Sequence, residues 1–145
     1  MDVSQIGIAA AFALAAAGTT AGYGPTGTAV MGAWKKSYAQ NKTPSFLHFI
    51  FLGVPLSQTF YGLILMIQLN AAVGVVEPGI ILGAGLFGGF GLGFSAYWQG
   101  VVAGAGAEAL SATGKGFTNY ILVCGLVEAV ALFIMVFIVA ILLLV

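Results

Sequence analysis

The chain has 145 residues, of which 61% are hydrophobic and 6% charged, and its formal net charge is zero. A water-soluble domain of this size carries about 25% charged residues, so the composition excludes a soluble protein and leaves no length for a separate soluble domain. The neutral charge balance gives no indication of nucleic acid as a partner. With a mean hydropathy of +1.11, residues 1–145 are expected to form a single membrane domain.

Four apolar stretches follow one another along the chain, and each is longer than the ~20 residues that span a bilayer as a helix. They predict transmembrane helices at 4–34, 45–73, 78–110 and 116–144. Short polar segments separate them: KKSYAQNKTP (35–44), GVVEPG (74–79) and SATGKG (111–116). The predicted fold is an all-α membrane protein made of two helical hairpins, 4–73 and 78–144.

The basic residues predict the orientation of these helices. Lys35, Lys36 and Lys42 lie in the first predicted connection and Lys115 in the third, whereas the middle connection has Glu77 and no lysine. The positive-inside rule places the first and third connections in the cytoplasm. Both termini are therefore expected on the non-cytoplasmic side. The N-terminal segment lacks the basic region of a signal peptide, so we expect the first apolar stretch to be retained.

The two hairpins resemble each other and indicate a duplication. TAGYGPTGTAVMGA (20–33) aligns with SAYWQGVVAGAGAE (95–108), and FLGVPLSQTFYGLI (51–64) aligns with ILVCGLVEAVALFI (121–134). Glycine is concentrated in the first and third helices, where small-xxx-small spacings let backbones approach closely. The second and fourth helices carry bulky residues instead. This alternation is typical of a ring with glycine-rich helices inside and bulky helices outside, facing lipid.

A few polar side chains lie deep in the predicted helices. Counted from the lysine-bearing ends of their helices, Gln58, Gln99 and Glu128 are 13, 11 and 12 residues deep. At 1.5 Å per residue, all three lie roughly 17–20 Å from that end. Ser57 and Tyr61 are within one turn of Gln58. Five polar groups are therefore predicted to converge at one level near the middle of the bilayer.

Of these polar groups, the Glu128 carboxylate has the largest free-energy cost of insertion into the membrane. A charge at the bilayer centre costs at least about 2.5–3.5 kcal/mol, and the chain has no arginine and no lysine at that depth. Glu128 must therefore be protonated or bind a cation. The hydroxyl of Ser57 and the amide oxygens of Gln58 and Gln99 add three neutral ligands, which suits a monovalent hard cation such as Na⁺. Tyr61 is placed to donate a hydrogen bond to Glu128 and fix its orientation.

At these residues the chain resembles the rotor-ring proteolipid (K, or c, subunit) of V-type ATPases, and most closely the bacterial Na⁺-translocating type. The similarity covers essentially the whole chain. In that type a hydroxyl residue, a glutamine and, three residues later, a tyrosine occupy the second helix, as do Ser57, Gln58 and Tyr61 here. Gln99 matches the glutamine that precedes a glycine in the third helix, and Glu128 matches the glutamate of the fourth.

The resemblance implies further features that the residues alone do not. The family uses a main-chain carbonyl just before the second-helix proline, which corresponds to Val54, as an additional Na⁺ ligand. One departure is visible, since the family member compared has threonine where this chain has Ser57; the hydroxyl is retained.

The implied function is that of a non-catalytic rotor subunit with no ATP site and no organic cofactor. Identical subunits would form a ring in a bacterial cell membrane, in contact with lipid. A membrane stator subunit would supply an arginine to the unloaded Glu128, and a central stalk would dock on the cytoplasmic connections. One carboxylate per four helices, with Gln58 at the duplicated position, favours pumping against a large gradient.

Three other interpretations compete with a Na⁺ rotor. The same rotor could carry H⁺, which would not need the set Ser57, Gln58, Gln99 and Tyr61. A small four-helix exporter could exchange protons for a cationic drug at Glu128, but the fourth helix has no aromatic residue next to it. A purely structural pore or junction protein would not require the carboxylate at all.

Overall fold

The computed structural model describes residues 2–144, which form a bundle of helices. The helices are α1 (Ser4–Ala39), α2 (Leu47–Gly53), α3 (Ser57–Ala71), α4 (Pro78–Thr113) and α5 (Phe117–Leu142). A 3₁₀ turn over Val54–Leu56 joins α2 to α3. Within residues 2–144, four segments are long and apolar enough to cross a membrane, namely α1, the segment from α2 to α3, α4 and α5. The predicted all-α membrane fold with four transmembrane helices is confirmed.

The first helix is longer than the sequence pattern predicts. α1 continues to Ala39, so Lys35 and Lys36 lie on the helix and only Lys42 of the three lysines lies in the connection. A lysine in the last turn is favourable because the C-terminal end of a helix carries partial negative charge. All four lysines still lie at one end of the bundle, where α1 and α4 finish and α2 and α5 begin. We call this the lysine-bearing end.

The second transmembrane segment is broken at Pro55. A proline inside a helix cannot donate the hydrogen bond that the carbonyl four residues earlier would accept. The backbone therefore tightens into the 3₁₀ turn between Gly53 and Ser57, and then resumes as α3. This turn brings the Val54 carbonyl and the Ser57 hydroxyl to the same point on the helix surface.

α1 and α4 form the tightest pair of helices in the bundle. A Cβ added at Gly18 would overlap main-chain atoms of Gly93, and one added at Gly100 would overlap those of Gly22. Glycine is required at these contacts because the two backbones touch. The bulky segments α3 and α5 pack outside this pair, and α5 exposes large apolar side chains such as Phe133 and Phe137. The glycine-rich and bulky helices are thus separated within one chain.

Candidate ion-binding site

Polar side chains from α3, α4 and α5 meet at one level of the bundle. The amide nitrogen Nε2 of Gln58 donates to Oε1 of Gln99 at 2.6 Å, and both side chains are fully buried. Nε2 of Gln99 donates to the Cys124 carbonyl at 3.0 Å and lies 3.4 Å from Oε2 of Glu128. Gln58, Gln99 and Glu128 therefore form one connected group, at the level where the depth count places them.

Tyr61 holds the other oxygen of the carboxylate. Its hydroxyl donates to Oε1 of Glu128 at 2.8 Å. Tyr61 also packs against a buried apolar cluster that includes Leu65 and Ala131. The tyrosine thus orients Glu128 from the side of the bundle that is remote from the lysine-bearing end. A typical hydrogen bond contributes about 0.5–1.5 kcal/mol, and one to a charged group contributes about 1.5–3 kcal/mol.

The Ser57 hydroxyl has two acceptors within hydrogen-bonding distance. The Ser57 hydroxyl lies 3.1 Å from the Val54 carbonyl and 3.1 Å from Oε1 of Gln58. A hydroxyl has a single hydrogen and can donate to one of these two acceptors at a time. Val54, Ser57 and Glu128 also line one cavity of about 500 Å³. The turn around Pro55 therefore presents a cluster of oxygens next to a carboxylate, which is the environment that a hard cation prefers.

The amide of Gln99 is oriented differently from the sequence expectation. The sequence predicts that its oxygen faces the ion, but in the structure its nitrogen faces Glu128 and its oxygen accepts from Gln58. The nitrogen is there because the carboxylate and the Cys124 carbonyl are both acceptors. Coordination of a cation by Gln99 would require its amide to rotate by about 180° about the terminal bond, which exchanges the positions of the nitrogen and the oxygen.

Two threonines support the turn around Pro55 and were not singled out from the sequence. The Thr19 hydroxyl on α1 donates to the Pro55 carbonyl at 2.9 Å, and the Thr59 hydroxyl donates to Thr19 at 2.8 Å. Membrane threonines often bond to a carbonyl of their own helix, as Thr20 and Thr28 do here. The sequence does not show which threonine of α1 points into the bundle. The only indication of a role for Thr19 is that it is a hydroxyl residue within an apolar helix.

Two further hydrogen bonds fix the heights of α4 and α5 relative to their neighbours. The Thr26 hydroxyl on α1 lies 2.7 Å from the Gly100 carbonyl, directly after Gln99. The Ser95 hydroxyl on α4 donates to the Val127 carbonyl at 3.1 Å, directly before Glu128. Each bond lies one residue from a polar side chain of the site. The positions of Gln99 and Glu128 along the bundle axis are therefore set by contacts between helices.

We expect replacement of Thr19 by valine to weaken ion binding without preventing the chain from folding. Valine has a similar volume but leaves the Pro55 carbonyl without its donor, so the turn that carries Val54 and Ser57 can shift. An unsatisfied buried acceptor costs about 1–3 kcal/mol. We therefore expect a roughly tenfold loss of affinity for the Na⁺ that the sequence predicts at this site, measured by ²²Na⁺ binding to purified protein. Thr19→Ser is the control and should bind normally. Equal affinities for the two variants would contradict a positioning role.

The second hairpin is the part of the chain that matches a known protein family. Residues 82–143, which comprise most of α4 and all of α5, match the family model of the ATP synthase C subunit. Proteins of that family assemble into rotor rings with other ATPase subunits. No curated protein matches the chain. The matched span includes Gln99 and Glu128 and is one helical hairpin. Through this hairpin, the chain is similar to the ion-carrying rotor proteolipids of ATPases.

Proposed function

We propose that this chain is the rotor-ring subunit of a V-type rotary ATPase and that each copy carries one Na⁺ at Glu128. The proposed ligands are Oε of Glu128, the amide oxygens of Gln58 and Gln99, the Ser57 hydroxyl and the Val54 carbonyl. The single observation that carries the choice of Na⁺ is the cluster of oxygens around Ser57, which lies 3.1 Å from two acceptors with one hydrogen to share. A proton carrier would need only the carboxyl group.

Charge balance favours a monovalent cargo. One Na⁺ with one carboxylate is neutral, so a loaded copy of the chain can pass lipid without exposing a charge. A divalent ion would leave a net charge, and an unloaded Glu128 would require a positive partner that this chain does not provide, because it has no arginine. We therefore assign that partner to a stator subunit in the membrane. Ion release and reloading would take place where the ring meets it.

The proposal also gives roles to the inner and outer helices of the chain and to its lysine-bearing end. Identical copies would assemble as a ring around α1 and α4, with α5 and the segment from α2 to α3 outside. The lysine-bearing end would lie in the cytoplasm of a bacterium and contact the central stalk. With Gln58 at the position that a duplication would pair with Glu128, four helices carry one ion. Fewer ions per turn allow each ion to be moved against a larger gradient, so we propose ATP-driven pumping.

Carbodiimide labelling of the purified ring tests the choice of ion. At fixed pH and constant ionic strength, we expect Na⁺ to slow the labelling of Glu128 at least tenfold, whereas K⁺ or choline should not. A carbodiimide modifies a protonated carboxyl, and a bound Na⁺ excludes that proton. If Na⁺ gives no protection and only raised pH slows the reaction, the cargo is H⁺.

Ser57→Thr should preserve the protection by Na⁺ and Ser57→Ala should weaken it, because only the first keeps a hydroxyl.

A further inference from the structure

We infer that successive copies of the chain pack through an aromatic ridge on α4 of one copy and a groove of small residues on α1 of the next. The inference rests on the ring assembly of the proposed function and does not depend on which ion the ring carries. The aromatic ridge consists of Phe87, Phe90, Phe94 and Trp98. The small-residue groove consists of Ala9, Ala13, Ala17, Thr20 and Gly24.

The aromatic ridge lies on the face of α4 that does not contact α1. Phe90 is 62% exposed and Phe94 is 56% exposed, whereas a Cβ at Gly89 or Gly93 would overlap main-chain atoms of α1. The ring of Phe94 lies 6.1 Å from that of Phe90 and 6.2 Å from that of Trp98, measured between centroids. The rings therefore form one continuous projecting surface along the helix.

A cavity of about 460 Å³ lies beside the aromatic ridge, between α4 and α5. Phe90, Phe94 and Trp98 form one of its walls. Apart from Ser95, whose hydroxyl donates to the Val127 carbonyl, the side chains that line the cavity are aromatic or aliphatic. A buried water needs several polar partners, so this cavity suits apolar groups, either from lipid or from another helix.

The duplication of the hairpins indicates which surface covers the ridge. In each hairpin a hydroxyl on the glycine-rich helix donates to a carbonyl of the bulky segment, from Thr19 to Pro55 and from Ser95 to Val127. These two bonds align Thr19 with Ser95, whereas the sequence alignment pairs Ser95 with Thr20. Because one residue turns a helix by about 100°, the hydrogen bonds determine which faces correspond.

With this alignment, the face of α1 that contacts α4 corresponds to the aromatic ridge. Gly18 and Gly22 lie at that contact, and their equivalents on α4 are Phe94 and Trp98. The sequence alignment would instead pair Gly18 with Gly93, which is already in contact with α1 and cannot meet another copy. The ridge is therefore the surface that α4 presents to the next copy, as α1 presents its glycines to α4.

The same alignment maps the face of α4 that contacts α1 onto the small-residue groove. The α4 residues at this contact are Gly85, Gly89, Gly93, Ala96 and Gly100. Their equivalents are the five residues of the groove, and all five are exposed. The Thr20 hydroxyl donates to the Ala16 carbonyl of its own helix, so the groove presents an apolar surface. A Cβ at Gly24 would meet nothing within 4 Å among residues 2–144, so packing inside one copy does not require glycine there.

Large side chains on the ridge match small residues in the groove. The contacts inside one copy predict that Phe94 lies against Ala17 of the next copy, and Trp98 against Thr20 and Gly24. Small residues favour association of membrane helices because they allow close approach. Since the ridge and the groove are different surfaces, each copy can offer one to each neighbour, which allows copies to continue around a ring. Proteins of the matched family form such rings, so we assign the ridge to a second copy and not to lipid.

The two contacts of α4 predict unequal spacing between the glycine-rich helices of a ring. Inside one copy, Gly18 and Gly93 bring the two backbones into contact. Between copies, aromatic side chains separate the helices, and packed helices stand about 8–10 Å apart according to the side chains at the contact. We therefore expect close helix pairs, one per copy, with wider gaps between them that the ridge fills.

Cysteine cross-linking of the purified protein tests the contact between copies. In a Cys124→Ala background, Phe94→Cys combined with Ala17→Cys should give a ladder of multimers on oxidation, because each copy carries both cysteines. A disulfide requires Cβ atoms about 3.5–4.5 Å apart, so the ladder reports direct contact. Phe133→Cys combined with Ala17→Cys is the matched control. Phe133 is exposed on α5, away from the ridge, and this pair should leave monomers.

A substitution that fills the groove tests the same contact without removing a ridge side chain. Gly24→Leu has room inside one copy, and leucine is a better helix former than glycine, so the chain should fold. We expect the fraction recovered as rings in detergent to fall roughly tenfold, because overpacking a contact is destabilising. Adding Trp98→Ala should restore rings, since it frees the volume that leucine occupies. Ala140→Leu, an exposed position on α5, is the control and should assemble as the wild type does.

The outcomes separate this inference from the function on which it rests. If the wild-type protein purifies only as monomers, the proposed rotor ring fails and the docking surface fails with it. If the wild type forms rings, two results would each overturn the docking surface alone: assembly of Gly24→Leu at the wild-type level, or only monomers from the pair Phe94→Cys and Ala17→Cys.

Discussion

Replacement of Glu128 by glutamine is expected to abolish Na⁺ transport while leaving the chain folded. Glutamine has nearly the same shape and can still accept the hydrogen bond from Tyr61, but it removes the only charge that balances the ion. An uncompensated charge at this depth costs at least about 2.5–3.5 kcal/mol. Since 1.4 kcal/mol is a factor of ten, Na⁺ affinity should fall by roughly 100-fold or more, measured by ²²Na⁺ binding to the ring and by transport in the assembled ATPase.

Glu77→Gln provides the matched control for this experiment. Glu77 is exposed in the connection between the hairpins, so the same chemical change there should leave both binding and transport at wild-type levels. Carbodiimide labelling should disappear in Glu128→Gln and persist in Glu77→Gln. Transport by Glu128→Gln at more than a few per cent of the wild-type rate would contradict the rotor function and favour a structural role for the chain.

The general plan of this molecule follows from simple regularities in the sequence. Hydropathy alone predicts four transmembrane helices, because a bilayer requires long apolar segments. The depth count predicts that Gln58, Gln99 and Glu128 share a level, because the rise of a helix is constant. The clustering of glycine predicts which helices approach most closely. All of these properties depend on one helix at a time or on a single pair of helices.

Other features of the site depend on contacts that no single helix specifies. The direction of the Gln99 amide is set by one donor on α3 and two acceptors on α5, so the sequence of α4 alone does not specify which amide atom faces Glu128. The role of Thr19 depends on the rotation of α1 toward Pro55. The cavity beside Glu128 is lined by Gly53 and Gly125, which lie on two segments that are distant in sequence. Each requires the relative rotation of packed helices, which hydropathy does not encode.

Replacement of Gln99 by leucine should separate Na⁺ carriage from H⁺ carriage. The change removes a proposed ion ligand and leaves Nε2 of Gln58 without its acceptor, but it keeps the carboxylate of Glu128. Loss of an interaction with a charged group is worth about 1.5–3 kcal/mol, so we expect Na⁺ affinity to fall roughly 10- to 150-fold. Titration of Na⁺ protection against carbodiimide labelling measures this loss directly.

The proton chemistry of the Gln99→Leu ring should survive, since a proton needs only the carboxyl group. Labelling of Glu128 at low Na⁺ should therefore proceed as in the wild type, and any ATP-driven H⁺ movement should continue without Na⁺. Gln68→Leu makes the same substitution at an exposed position on α3 and should retain Na⁺ protection. If Gln99→Leu keeps wild-type Na⁺ protection, Gln99 is not a ligand. The ion would then have to be held by Glu128 and the oxygens around Ser57 alone.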